Sequence, residues 1–305
     1  MNEIALNKAS RIPWREYFAL CKPKVVSLIV FTALVGMLLA SPEMVPLDTL
    51  FFGILGIALG ASSGAAVNHW VDQRIDAVME RTQNRPLPQG QLSPRAAITF
   101  AITLGVLSMV ILVTFVNTLT AVLTLVSLMG YAVVYTMFLK RSTPHNIVLG
   151  GAAGAAPPVL GWTAVTGEIN TQALLLFLVI FIWTPPHFWA LAIRRRREYA
   201  KAGIPMLPVT HGVEFTKLNI LLYTLMLFAV SLMPFVIEMS GLIYISGAIA
   251  LGAGFVYHAV RLYFSEDDRY TMETFGYSIF YLSALFAFLL ADHYLREFIR
   301  ATLLT

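Results

Sequence analysis

Apolar residues in this chain come in long blocks separated by short polar breaks. A helix needs about 20 mostly apolar residues to cross the hydrocarbon core of a bilayer. Nine blocks qualify, at roughly 25–42, 50–69, 95–115, 118–138, 146–165, 171–193, 218–237, 241–260 and 275–292. The pattern predicts an all-α integral membrane protein of about nine transmembrane helices, forming a single polytopic domain over residues 1–305. No low-complexity tract, hinge linker or separate soluble domain interrupts it. Residues 1–23 form a cytoplasmic or interfacial N-terminal segment. Within it, residues 10–22, with Trp14, Arg15 and Tyr17, look like a helix lying on the membrane surface. The segment lacks the short apolar core directly after a basic region that marks a cleavable signal peptide.

Composition agrees with the pattern and excludes the main alternatives. Of 305 residues, 58% are hydrophobic and only 12% are charged, whereas soluble chains are about a quarter charged. With a mean hydropathy of +0.73, an ordinary soluble enzyme, a disordered chain and a nucleic-acid binder are all excluded. The lone Cys21 cannot form an internal disulfide and reads as a small interfacial residue.

Charge then orients the spans. Alternate loops on one side carry Lys8, Arg11, Arg15, Lys22, Lys24, Arg74, Arg81, Arg85, Arg95, Lys140, Arg141, Arg194 to Arg197, Lys201, Lys217, Arg261 and Arg269. These are 19 of the 21 bases, and only Arg296 and Arg300 fall on the other side. The positive-inside rule makes the first side cytoplasmic, with the N-terminus in and the C-terminus out. The two long loops, about 70–94 and 194–217, share that side, where function is expected.

Chemistry gathers after the second span. Asn68, Asp72 and Asp76 stand four residues apart and so line one helical stripe, ~6 Å from one to the next. Two like charges at that spacing repel, and a hard divalent cation resolves the repulsion. Mg2+ prefers oxygen ligands and commonly bridges one or two carboxylates to substrate phosphates. Arg81 and Arg85, also four apart, can hold phosphate oxygens, and Pro86 and Pro88 end the helical tendency. The competing view is a solvated helix end with exchangeable charges.

These residues, and the stretches around them, resemble a known family. Asn68-x3-Asp72-x3-Asp76 on a nine-helix scaffold is similar to the UbiA superfamily of intramembrane prenyltransferases. Further stretches are Lys22-Pro-Lys24, Arg81-Thr-Gln-Asn-Arg85-Pro-Leu-Pro-Gln-Gly90, Lys140-Arg-Ser-Thr-Pro-His-Asn146 and Gly150 to Trp162. Trp183-Thr-Pro-Pro-His187-Phe-Trp-Ala-Leu-Ala192 and Glu198-Tyr-Ala-Lys201-Ala-Gly-Ile-Pro-Met-Leu-Pro208 complete the set. Together, over about residues 18–290, they resemble the heme-modifying branch, the protoheme IX farnesyltransferases or heme O synthases. One departure from the quinone-type members matters. The loop after the sixth span holds Arg194 to Arg197, Glu198 and Lys201 in place of a second Asp-rich motif.

The resemblance implies a UbiA-type fold around a central cavity. It also implies Mg2+-dependent transfer of a farnesyl group from farnesyl diphosphate to a vinyl group of heme b, giving heme O for terminal oxidases. Asn68, Asp72 and Asp76 would be catalytic and hold the metal, with Glu198 completing its shell. Arg81, Arg85, Lys140 and Lys201 would bind diphosphate. Tyr131, Tyr135, Trp183 and Phe188 are candidates for shielding an allylic cation, or are belt aromatics. His187 is the heme-binding candidate, as iron ligand or propionate partner, beside Pro185 and Pro186 where a broken helix would expose carbonyls. Equally it is a histidine hydrogen-bonded to a neighbouring helix. Expected partners are farnesyl diphosphate, heme b, the lipid bilayer and heme-handling or oxidase-assembly proteins. Two rival readings are a prenyltransferase acting on a phenolic or quinone precursor, and a non-enzymatic heme or lipid carrier or transporter.

Overall fold

The computed structural model describes residues 13–266 and 268–303, with side chains through Arg296. Lys8 and Arg11, the start of the expected surface helix, and the side chain of Arg300 lie outside the described residues. The described residues are helical, with no strand among them. A short helix α1 (Trp14–Leu20) bends by 53° into α2 (Pro23–Leu39). On α1, Trp14 and Phe18 are exposed while Leu20 is buried, so the helix is amphipathic.

The next helices are α3 (Leu47–Asp76), α4 (Pro94–Phe115) and α5 (Thr118–Met129), which continues through Gly130–Leu139 in π-helical register to Ser142. Then come α6 (Asn146–Ala155, resuming at Pro157–Thr166) and α7 (Thr171–Arg194). Two short helices, α8 (Arg196–Lys201) and α9 (Leu207–Thr210), precede α10 (Val213–Val236), α11 (Leu242–Tyr263) and α12 (Thr271–Leu303). Eight of these helices are long and apolar enough to cross a membrane, and the bent α1–α2 pair makes a ninth. The predicted spans therefore hold, with shifts at their ends. Helix α2 starts two residues early because proline is preorganised for the first helical position. Helix α3 runs past its apolar block to Asp76, so the loop begins at Ala77 and not near residue 70.

Each long helix packs on the next, and α12 returns to α2, closing a ring. Helices α3, α6 and α7 are the most buried, whereas the outer faces of α4, α5 and α10 expose rows of Val, Leu and Ile, as lipid-facing surfaces do. Small residues let the inner helices approach backbone to backbone. A Cβ on Gly36 would lie 2.1 Å from the Pro158 carbonyl oxygen, and one on Gly161 would lie 1.9 Å from that of Ala33. Helix α7 stays continuous through Pro185 and Pro186, so the break expected there does not occur. Its neighbours α10 and α12 support it on either side.

At the end opposite the basic loops, Asp292 of α12 caps α11. Its buried carboxylate accepts from the amides of Gly241 (2.5 Å), Ile243 (3.2 Å) and Tyr244 (3.2 Å). Three amide donors at a helix N-terminus stabilise a carboxylate through hydrogen bonding and the helix dipole together.

Candidate active site

The last three turns of α3 bury what its stripe predicts. Asn68, Asp72 and Asp76 are 4%, 1% and 3% exposed. A polar stripe so removed from water needs partners, and most of them come from outside the stripe. Asn68 Nδ2 donates to Asp72 Oδ2 at 2.8 Å and to Thr136 Oγ1 at 3.3 Å. Asn68 Oδ1 accepts from Lys22 Nζ at 2.5 Å. Lys140 Nζ donates to Asp72 Oδ2 at 2.5 Å, and Arg141 stands 3.6 Å from Asp72 Oδ1. Asp76 Oδ2 accepts from Arg85 Nη1 at 2.6 Å.

Local structure explains how these groups arrive. Lys22 occupies the left-handed region (φ 49°), which turns the chain between α1 and the proline that opens α2. Such backbone strain in a residue other than glycine persists only where the surroundings hold it, and here the Asn68 contact does. The π-helical stretch of α5 carries Thr136, whose hydroxyl donates to the Tyr131 carbonyl five residues back at 2.8 Å. π-Helical turns recur at functional sites, and this one sets Thr136 against Asn68. Thr82 Oγ1 donates to the Asp76 carbonyl at 3.1 Å, folding the loop back so that Arg85 reaches Asp76.

The bases are crowded. Burial, reinforced by the charges of Arg85 and Lys140, pushes the Lys22 ammonium down to about 7 against the pull of the two aspartates. In the neighbouring loop, burial pushes the Tyr199 phenol up, and Arg81 and Arg195 partly offset that. The charge of Arg81 thus reaches the second loop. Arg81 is exposed and makes no ion pair among the described residues.

Of the predicted site residues, the structure brings together Asn68, Asp72, Asp76, Arg85 and Lys140. It adds Lys22, Arg141 and Thr136, which sequence reasoning missed. Lys22 opens a stretch picked out by resemblance, and Arg141 adjoins a named base, so both had a signal. Glu198 is not part of the cluster. It pairs with Arg195 at 3.1 Å, and no three His, Cys, Asp or Glu side chains gather into a cage among the described residues. Lys201 is exposed on the last turn of α8. Arg196 pairs instead with Asp268, tying the loop before α12 to the end of α7.

The donor set fits a hard divalent cation. Asp72 Oδ1 is buried without a hydrogen-bond donor among the described residues, the half-exposed Arg141 guanidinium standing 3.6 Å away, and a buried carboxylate oxygen with no hydrogen bond is costly unless something binds it. Two carboxylates and no closed cage match Mg2+, which keeps open positions for water and phosphate.

His187, on α7, lies outside this cluster. It lines a side-opening cavity of about 540 Å³ between α2, α7 and α12. Its Nδ1 lies 2.7 Å from Ser278 Oγ, the interhelical bond expected of a structural histidine. Tyr131 and Tyr135 stack on each other with centroids 5.7 Å apart.

A family model, the UbiA prenyltransferase family, matches residues 29–288. The chain belongs to the UbiA prenyltransferase family. It is thus a prenyltransferase and a multi-pass membrane protein. A relative named protoheme IX farnesyltransferase, from Thioalkalivibrio sulfidiphilus, is 67% identical over 294 residues, 96% of this chain and 97% of its own length. Solved structures share the family fold. A digeranylgeranylglyceryl phosphate synthase superposes with a TM-score of 0.79 at 16% identity, covering 92% of this chain and 98% of that one. A UbiA homologue from Archaeoglobus fulgidus bound to DMAPP and Mg2+ gives 0.62 at 18% identity, covering 90% and 99%.

Proposed function

We propose that this prenyltransferase moves a farnesyl group from farnesyl diphosphate to a vinyl group of heme b, giving heme O, with Mg2+ as its cofactor. The observation that carries the reading is the near-full-length identity to a relative of that name. The buried aspartate pair, each member held by a base, supplies the chemistry it needs. Asn68, Asp72 and Asp76 would hold the cation, which when bound makes the diphosphate a better leaving group. Lys22, Arg85, Lys140 and Arg141 bind the diphosphate oxygens and neutralise charge as the allylic C–O bond breaks. Arg81 and Lys201, both exposed on the two long loops, steer the incoming anion. Glu198 holds Arg195 in place.

The vinyl carbon takes the farnesyl carbon, and water then adds to the neighbouring carbon, losing a proton. Stacked Tyr131 and Tyr135, beside the aspartates, shield the cation from early attack by water. The basic end of the bundle faces the cytoplasm of a bacterial inner membrane on this reading, with the whole chain acting as one domain and heme-handling proteins as partners.

Purified protein given Mg2+, farnesyl diphosphate and heme b is expected to yield heme O by mass spectrometry. Prenylation of a phenolic acid, with none of heme, would replace the acceptor. Binding of both substrates with no product under either condition would favour a carrier.

A further inference from the structure

The cavity between α2, α7 and α12 holds one side chain whose chemistry an apolar tail would not use. His187 lies face to face with Trp183 (centroids 4.2 Å apart, planes 16°) and with Phe275 (4.5 Å, 24°). Trp183 and His187 are one turn apart on α7, and both are tied to a single residue of α12. Trp183 Nε1 donates to the Ser278 carbonyl at 2.8 Å, and His187 Nδ1 meets the Ser278 hydroxyl at 2.7 Å.

The hydroxyl's own bond decides the tautomer. Ser278 Oγ lies 2.6 Å from the Phe275 carbonyl oxygen. A carbonyl has no proton to give, so the single hydroxyl proton points there. Ser278 Oγ can then only accept from His187, and Nδ1 carries the N–H. In the neutral ring this leaves Nε2 as a bare lone pair. No described residue bonds Nε2, and it is not sealed off from the cavity. A lone pair there repels a carboxylate and accepts a metal, so the ring is built as an iron ligand and not as a propionate partner. Histidines that bind metals characteristically fix their other nitrogen in this way. Lys24, an exposed residue of the cavity lining, has no ion pair among the described residues and suits a propionate. Two residues earlier, Lys22 binds Asn68, so the cavity adjoins the diphosphate cluster. Its 540 Å³ lies within the usual range for a ligand pocket.

We infer that the cavity receives the heme acceptor with its iron on His187 Nε2, and that Ser278 is the positioning residue that fixes the imidazole tautomer. The inference rests on the heme reading of the acceptor. Full-length protein in detergent, without farnesyl diphosphate, is titrated with heme b and followed through the Soret and visible bands. The wild type is expected to show histidine-ligated heme. His187→Gln, which can keep the Ser278 bond but offers no ring nitrogen, loses those bands. Ser278→Ala binds about tenfold more weakly with a mixed spectrum, and Ser278→Thr restores both. Size-exclusion profiles show which variants remain folded, and Ser278→Thr carries the comparison should Ser278→Ala aggregate. A wild-type spectrum in His187→Gln, or no difference between Ser278→Ala and wild type, overturns the inference. If heme is still farnesylated in that case, only the ligand assignment falls. Neither binding nor farnesylation of heme by the wild type removes both readings.

Discussion

Asp72→Asn removes one charge with almost no change of shape from a site closed to water. The carboxylate lies 2.5 Å from Lys140 Nζ, with side chains 1% and 16% exposed. At an effective dielectric of about 20, that separation corresponds to a gross attraction of about 7 kcal/mol. Withdrawing both charges from water costs several kcal/mol per ion and offsets most of it. Arg141, 3.6 Å away but 46% exposed, counts for less because solvent screens it. Breaking one partner of such a pair leaves the other buried without a counter-charge, which costs about 3–5 kcal/mol. For a chain of this size each kcal/mol is about 2–4 °C, so the melting temperature should fall by about 6–20 °C. Lys140→Met on its own should destabilise comparably. The double variant removes both charges and should recover most of the loss. Turnover should behave differently, dropping at least about 10²-fold in Asp72→Asn and staying low in the double variant. Thermal melts in detergent and a heme O assay on the same preparations read both effects. Equal melting of the single and double variants would refute the pairing argument, and turnover above about a tenth of wild type in Asp72→Asn would refute the catalytic one.

Three further outcomes follow from other parts of the molecule. Gly161→Ala drives a methyl group into the Ala33 carbonyl, where only helix movement can relieve it. It should cost at least 1–3 kcal/mol, read as lower yield of monodisperse protein, and a wild-type melting curve would mean that α2 and α6 are less closely packed. Asp292→Asn removes the charged cap of α11 at the far end. It should lower stability by about 1–2 kcal/mol without changing turnover per folded molecule, and a loss of turnover would tie the two ends together. Chelation with EDTA should abolish turnover and leave the melting temperature unchanged, since Lys140 and Arg85 already hold both carboxylates. Unfolding on chelation would instead make the metal structural.

The parts of this molecule that are legible in its sequence are those set by local periodicity. Asn68, Asp72 and Asp76 share a face because of the helix pitch alone, and the spans follow from the length of the apolar runs. Partners from distant segments are not legible in that way. Lys22 meets Asn68 across 46 residues, Lys140 meets Asp72 across 68, and Ser278 meets His187 across 91. Nothing in the spacing of Arg81 and Arg85 separates the base that reaches an aspartate from the one left exposed. Glu198 looks like a ligand because of its charge, yet a basic neighbour three residues earlier takes it. The π-helical register that delivers Thr136 has no sequence mark at all. What the resemblance contributed, beyond pitch and hydropathy, was the choice of distant stretches, Lys22 to Lys24 and Lys140 to Asn146 among them, two of whose bases meet the stripe.

The pairings also change what the aspartates are expected to do. With four bases around two carboxylates, this end of the bundle carries an excess of positive charge before any substrate arrives. A diphosphate relieves that excess, and Arg85, Lys140 or Arg141 in turning toward it frees a carboxylate oxygen for the cation. On the proposed reading, anion and metal binding are therefore coupled, since each vacates the other's partners. Farnesyl diphosphate should accordingly bind more tightly in the presence of Mg2+, and Mg2+ more tightly with the diphosphate, by the same factor. Calorimetric titrations in both orders measure that factor. Independent binding would mean that the bases stay on the aspartates throughout, and the exchange of partners would be wrong.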